Sequence, residues 1–416
     1  PLGHSFPTRR SSDLLLTLKV DMVATLATAI LLLLLGYWLI KKVSFFRKFC
    51  IPAPVIGGLL FSILALVLKQ SGLITISMNT TFQSPFMIAF FTTIGLGASF
   101  KLLKKGGKCL IIYWLLCGVL AISQNVIGVV FAKITGIHPM FGIMAGSVSM
   151  EGGHGAAAAF GKTAEAMGIA GSTTVAVAAA TFGLISGGLI GGPIAKHLID
   201  KYKLKPSTSD KYDVKSFENV VNDTENTKIT TNMVMTHMAI ITVCMTIGSI
   251  ASGWFSTVTG LSLPGYVGAM FVSVAFRNIN DKLHIAKLDY YTIDLMGNVS
   301  LGIFLSMALM TLKLWELVGL AGPLLIIVTA QVIFMILYTV FVVFKFLGKD
   351  FDAAVMAAGM AGHGLGATPN AIANMGAVTE KYGPSPKAFL IVPLVGAFLI
   401  DLIGIPTIVF FMNFFK

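Results

Sequence analysis

Apolar runs long enough to cross a bilayer alternate with short polar stretches along almost the whole chain. A spanning helix needs about 20 mostly apolar residues. By that rule the runs fall at 21–40, 52–69, 85–102, 108–132 and 172–195 in the first half, and at 233–256, 263–278, 290–312, 322–345 and 388–412 in the second. Between the fourth and fifth run of each half lie two shorter apolar segments, 138–151 with 155–169 and 351–363 with 368–380. Each pair flanks a glycine-rich break, SMEGGHGAAAAFGK at 149–162 and GLGATPN at 364–370. The segments are too short to cross alone, so each pair is read as a re-entrant hairpin, with a helix broken at mid-membrane as the alternative. Irregular backbone at that depth needs a protein-buried or watery cavity around it.

The halves repeat at one offset. Subtracting 212 places Pro264 on Pro52, Lys313 on Lys101, Gly348 on Gly136, Gly364 on Gly152, Gly383 on Gly171 and Gly404 on Gly192. A constant, gapless offset marks two copies of one unit. Five spans per copy is an odd number, which turns the second copy upside down. The expected fold is therefore an all-α integral membrane protein with two inverted-topology repeats of five transmembrane helices, each with a re-entrant hairpin. The repeats are placed at 14–195 and 232–416, and the hairpins enter from opposite faces. Secondary transporters are built this way and bind near mid-membrane, where the two breaks meet. Architecture of this kind points to transport more strongly than to any one substrate.

Composition agrees with the pattern. Of 416 residues 56% are hydrophobic and 12% charged, against about 25% charged in soluble domains. The net charge of +12 would raise nucleic acid as a partner in a soluble chain, but here the cations lie in short loops between apolar runs. Basic loops collect on the cytoplasmic side. With both termini outside, 22 of the 30 Lys and Arg residues fall inside, so no nucleic-acid partner is needed to explain the charge. The same orientation makes the polar stretch 196–231 a cytoplasmic linker. Cys50, Cys109, Cys117 and Cys244 show neither a CxxC nor a metal-ligand spacing. Residues 1–13, PLGHSFPTRRSSD, share none of the apolar character of the remaining chain and lack the hydrophobic core of a targeting peptide. They read as a non-native scar.

The chemistry has to come from the breaks. Gly152, Gly153 and Gly155 around His154 let backbone approach a ligand closely. A helix starting near Ala156 would turn free N–H groups toward a carboxylate. In the second break, Gly364, Leu365, Gly366, Ala367, Thr368 and Pro369 repeat the logic, with Thr368 as the expected N-cap and Pro369 as the first helical residue. Carbonyls freed by such unwinding suit Na+. For Gly187, Gly188, Gly191 and Gly192 close helix packing is the preferred reading. Asp401, in FLIDLIGIP, is a carboxylate in the middle of a span and a candidate for ion coupling, with a structural hydrogen bond as the alternative. Glu151 adjoins the first break, and His363 precedes the second without registering on His154. Neither a catalytic triad, an HExxH motif nor a P-loop is present, which leaves an enzyme without a site.

Several stretches also resemble the bacterial sodium/glutamate symporter family: AFFTTIGLGAS at 89–99, MAGSVSMEGGHG at 144–155, ATFGLISGGLIGGPIA at 180–195, GNVSLGIFLSMALMTLKLWEL at 297–317 and GLGATPNAIANM at 364–375. The likeness runs from about residue 20 onward. It implies Na+ as coupling ion, glutamate as substrate, the bacterial inner membrane as location, and a homodimer. The family's first motif commonly reads GGHGT, where this chain has Ala156, and Glu151 stands at a position familiar as small and polar. Ser149 is the nearest hydroxyl left in that break.

The expected function is Na+-coupled glutamate uptake by alternating access, with a carrier of another small carboxylate, or an uncoupled channel or receptor, as alternatives. A moving unit of 138–195 and 351–412 would slide past static spans carrying Pro52 and Pro264, which also offer the apolar face for a dimer.

Overall fold

In the computed structural model the described residues are 16–49, 51–206, 229–317 and 319–416. The segment 1–13 and all but the ends of the 196–231 linker lie outside them. The chain begins with strand β1 (Leu16–Val20) and helices α1 (Met22–Lys42), α2 (Ser44–Lys48) and α3 (Ala53–Gln70). Strand β2 (Ile74–Met78), α4 (Gln83–Gly97) and α5 (Phe100–Ile134) come next. The first break lies among α6 (Pro139–Met144), α7 (Ser147–Met150) and α8 (Gly153–Ala166), and α9 (Ser172–Tyr202) closes the half. The second half has α10 (Thr231–Thr259), α11 (Gly265–Leu283), α12 (Tyr290–Met310) and α13 (Ala321–Phe346). After these come α14 (Phe351–His363), α15 (Thr368–Tyr382), α16 (Pro386–Leu394) and α17 (Ile400–Phe414).

Two expectations need correction. The fold is not all-α, because β1 and β2 pair in parallel, Leu16 opposite Ile74 through Val20 opposite Met78. β1 lies just before α1 and β2 just after α3, and the β-branched Thr17, Val20, Ile74, Thr75 and Ile76 favour extended over helical backbone there. The linker also begins later than Lys196, since α9 continues to Tyr202 and stops at Lys203 in a left-handed conformation.

Among the described residues, seven helices are long and apolar enough to cross a membrane: α1, α3, α5 from Gly107, α9, α10, α12 and α13. An eighth is formed if α16 and α17, bent by 42° at their break, count as one span. Of the ten expected spans, α4 is only 15 residues long, and α11 carries Arg277, Asp281 and Lys282. Helix starts follow local chemistry. The Asp21 carboxylate accepts from the amides of Val23 and Ala24 at 2.8 and 3.0 Å, and Asp350 accepts from the Ala353 amide at 2.7 Å, each satisfying donors that a helix start leaves free.

Some residues 212 apart have similar backbone angles, and Gly136 with Gly348 and Gly171 with Gly383 share a positive φ. Pro52 and Pro264, which precede α3 and α11, have φ/ψ of −63/143° and −60/145°. Gly152 and Gly364, at the two breaks, have −77/−14° and −79/−5°.

Packing sorts the spans into two groups. The first three spans of each half, α1, α3, α4, α10, α11 and α12, pack on one another, while α5 to α9 pack with α13 to α17. The groups meet where α8 lies on α12, and where a π-helical turn at Val395–Leu399 lies on α4. The deepest elements are the first arms of the two short pairs. Every residue from Met140 to Met150 is buried, as is every residue of α14 except Asp352.

Candidate functional site

The first break is stitched to α9. Ser149 is buried and donates its hydroxyl to the carbonyls of Ala176, at 2.7 Å, and of Met144. As a stand-in for the missing hydroxyl of the first break it is therefore already engaged within the protein. The Thr181 hydroxyl donates to the Val177 carbonyl at 2.9 Å, so its oxygen is left to accept from His154 Nε2 at 3.0 Å. The helix after this break starts at Gly153, three residues before the expected Ala156. Gly153 itself sits at φ +59°, a left-handed conformation that costs a residue with a side chain about 1–2 kcal/mol. Gly155 faces Phe90 of α4 and Leu301 of α12, and Ala156 is buried.

The second break is tied more widely. Gln124 Nε2 of α5 donates to the Gly364 carbonyl at 2.7 Å, and Leu365 is wholly buried. Ala367, extended at φ −161°, is the N-cap of α15, so Thr368 becomes its first residue and Pro369 its second. The Thr368 hydroxyl does not cap the helix. It donates instead to the Gly396 carbonyl of the π turn at 2.8 Å, which leaves its oxygen lone pairs available. Asn370 and Asn374 bind α15 to α9 through the carbonyls of Leu184 at 2.7 Å and Gly187 at 2.9 Å. The packing role of Gly187 and Gly191 is a matter of space: a Cβ on Gly187 would lie 3.0 Å from the Ala361 carbonyl, and one on Gly191 2.2 Å from Asn374 Nδ2. At Gly192 it would meet nothing within 4 Å.

The two breaks touch. A Cβ built on Gly153 would fall 2.9 Å from the Gly366 carbonyl oxygen. Elements 213 residues apart in sequence thus bring Gly153 against Gly366 inside the helical core.

Asp401 lies in the first turn of α17, directly after the π turn. It is close enough to Glu151 for the two charges to act on each other. Both carboxylate oxygens of Glu151 are buried with no hydrogen-bond partner among the described residues. Tyr113 and Cys117 of α5 and Tyr338 of α13 lie within electrostatic range of the same carboxylate, and a Cβ on Gly404 of α17 would fall 3.9 Å from its Oε2. Among the described residues no three of His, Cys, Asp and Glu gather as a metal site. Among the buried side-chain oxygens that lack partners, Glu151 Oε1 and Oε2, Gln124 Oε1 and Gln331 Oε1 are hard ligands of the type a small cation takes.

Weighing only ionisable groups inside spans passes over an amide pair. Gln124 and Asn125 are adjacent on α5, and each holds a different break: Gln124 binds Gly364, while Asn125 Oδ1 accepts from the amide and hydroxyl of Ser147 at 3.1 and 3.0 Å. The signal was two neighbouring amides in an otherwise apolar run, AISQNVIGVV. A cavity of about 340 Å³ opens between the two helix groups, walled by Leu59 of α3, Thr174, Thr181 and Phe182 of α9, and Leu314 and Leu317 beyond α12. It reaches the first break through Thr181, the partner of His154.

The sequence profile of the sodium/glutamate symporter family matches residues 18–384. The chain belongs to the sodium/glutamate symporter family. A sodium/glutamate symporter of Haemophilus influenzae is 44% identical over 384 residues, covering 91% of this chain and 94% of that protein. One from Escherichia coli is 44% identical over 387 residues, covering 92% and 96%. As a member of this family the chain is a multi-pass membrane transporter and not an enzyme. A solved structure of the sodium proton antiporter MjNhaP1 from Methanocaldococcus jannaschii overlaps 95% of this chain and 98% of that one, at 14% identity and a TM-score of 0.43. That likeness is too loose to carry an argument.

Proposed function

We propose that this sodium/glutamate symporter takes up glutamate with Na+ at the meeting point of the two breaks. The contact of Gly153 with the Gly366 carbonyl is the observation that carries the reading, because it brings both irregular segments to one place. The backbone amides of Gly153 and Gly155 bind the substrate carboxylate at the start of α8, whereas those of Gly152 and Ala156 already donate to the carbonyls of Ser147 and Gly152 at 3.0 and 3.3 Å. Carbonyls of Gly364, Leu365, Gly366 and Ala367, the Thr368 oxygen and the Asp401 carboxylate serve Na+, and His154 lines the cavity. Ser149, with its proton committed to carbonyls, shapes the break rather than binding ligand.

The two halves are inverted repeats, and α6 to α8 and α14 with α15 are re-entrant hairpins entering from opposite faces. Two observations support this: the positive φ shared by Gly136 with Gly348 and by Gly171 with Gly383, both pairs 212 residues apart, and first arms too short to span that are buried along most of their length. The protein lies in the bacterial inner membrane with both termini outside and the linker that follows α9 in the cytoplasm, as the distribution of Lys and Arg favours. It is a homodimer held through the group of α1, α3, α4, α10, α11 and α12.

A second reading, Na+-coupled transport of another small carboxylate, has its ground in the first break, where Ala156 offers no hydroxyl and Glu151 adds a buried charge. Purified protein in liposomes with an imposed Na+ gradient separates the two. Concentrative uptake of labelled glutamate, resisted by excess dicarboxylates, supports the first. Uptake of a dicarboxylate with glutamate ineffective as a competitor overturns it.

A further inference from the structure

A second cavity, of about 870 Å³, lies away from the breaks, between the end of α9 and the end of α15. Lys196, His197 and Lys201 of α9 and Lys381 of α15 stand on its walls, with Asp200 as the one acidic side chain. The three lysines are exposed, and none of them forms an ion pair among the described residues. The floor is apolar, formed by Gly192, Pro193, Ala377 and Val378. At Gly192 there is open space where a side chain would be. Tyr382 borders the same cavity, the type of side chain that settles at the level of lipid headgroups.

We propose that this cavity is a binding site for an anionic phospholipid, with its phosphate held by Lys196, Lys201 and Lys381 and its glycerol and first acyl carbons on the apolar floor. A free anion would use the cations but gain nothing from the floor. A neutral lipid would use the floor and leave the lysines unmatched. Only a molecule with both parts satisfies both surfaces, and the position at the end of the long apolar helix α9 is where a headgroup lies. Basic pockets between membrane helices bind headgroups by this combination. Asp200 offsets part of the charge of the three lysines, leaving an excess of about two positive charges from these four side chains. The lipid would lie across α9 and α15, the two helices that Asn370 and Asn374 already join deeper in the membrane.

The test titrates the full-length, detergent-solubilised protein with short-chain phosphatidylglycerol, phosphatidylcholine and inorganic phosphate. Phosphatidylglycerol is expected to bind and phosphatidylcholine not to compete. Replacing all three lysines, Lys196→Gln, Lys201→Gln and Lys381→Gln, should weaken phosphatidylglycerol about 100-fold, at roughly fivefold per cation near an anionic headgroup. The same number of changes at Lys41, Lys42 and Lys48, which are also exposed, should leave it within about twofold on the same scale. Gly192→Leu fills the floor without changing charge and without a clash, and is expected to weaken the lipid while the lysines remain. It also serves if the triple variant fails to fold. Equal loss in the control set would mean a general basic surface and overturn the site. Unchanged affinity in the Gly192→Leu variant, or displacement by inorganic phosphate at the concentration of the lipid, would do the same by reducing it to an anion site.

Discussion

Gly153 and Gly366 meet so closely that a methyl group on the first would press on the carbonyl of the second, at 2.9 Å. Gly153 also sits at φ +59°, so any side chain there adds about 1–2 kcal/mol of backbone strain. A displacement of about 1 Å at a binding centre can lower turnover by roughly 100-fold. Gly153→Ala and Gly366→Ala are therefore each expected to reduce Na+-driven uptake by about tenfold or more, with normal amounts of protein in the membrane. Wild-type uptake kinetics in both variants would show that the ligand does not bind where the breaks touch.

Asp401 and Glu151 are two carboxylates in one low-dielectric environment, and such groups are costly unless a cation lies near. Asp401→Asn removes charge at nearly constant shape. If Asp401 serves the coupling ion, the half-saturating Na+ concentration for uptake should rise by about tenfold, the equivalent of roughly 1.4 kcal/mol. Glu151→Gln should leave membrane abundance equal or higher, because both oxygens of the native carboxylate lack hydrogen bonds. An unchanged Na+ dependence in Asp401→Asn, together with a lower yield, would assign Asp401 a structural role instead.

Gln124 and Asn125 predict a paired effect. Gln124→Leu leaves the Gly364 carbonyl without its donor, and Asn125→Leu leaves the Ser147 amide and hydroxyl without their acceptor. A buried group stripped of its partner costs about 1–3 kcal/mol. Each single variant should lower the melting temperature of the purified protein and reduce uptake. The double variant should lose less than the sum if the two breaks move as one unit. Strict additivity would mean that the breaks respond independently.

Orientation is checked by thiol labelling in a cysteine-free background. Lys416→Cys, at the exposed end of α17, should react with an impermeant reagent on intact cells. Ser207→Cys, in the linker outside the described residues, should react only after the cells are opened. The reverse pattern would invert the topology.

The span positions were legible because hydropathy responds to the same bilayer thickness that limits helix length. The 212 offset was legible in part because Gly136 with Gly348, and Gly171 with Gly383, hold positive φ angles that side-chain-bearing residues adopt less readily. Helix propensity favours the alanine run and so places the start of α8 at Ala156, whereas the preceding turn is held by tertiary contacts, His154 on Thr181 of α9 and Gly155 on Phe90 and Leu301. Capping rules assign Thr368 to the N-cap because they assume that the hydroxyl has no better partner, and the π turn supplies the Gly396 carbonyl. The amide pair on α5 escaped because neutral side chains raise no charge alarm in an apolar run. Pairing of β1 with β2 depends on two five-residue segments 58 residues apart finding one register, which local pattern alone does not reveal.

The division of the spans into two packing groups carries a mechanical expectation. Both breaks, with α5, α9, α13 and the bent α16 and α17, lie in one group, and the first three spans of each half form the other. If the site is carried across the membrane, the first group has to slide past the second, and the contacts between them have to be few and apolar. The cavity of about 340 Å³ is such a place, because Leu59 of α3 faces Phe182 and Ile185 of α9 across it. Leu59→Cys paired with Ile185→Cys, joined by a short rigid bifunctional reagent, should abolish uptake while leaving Na+-dependent substrate binding measurable. Reagents that react with only one of the two thiols should leave uptake largely intact, since neither residue touches the breaks. Cleaving the bridge should restore transport. Turnover at the unlinked rate in fully bridged protein would exclude sliding at this boundary and leave local opening of the breaks as the way the site changes sides.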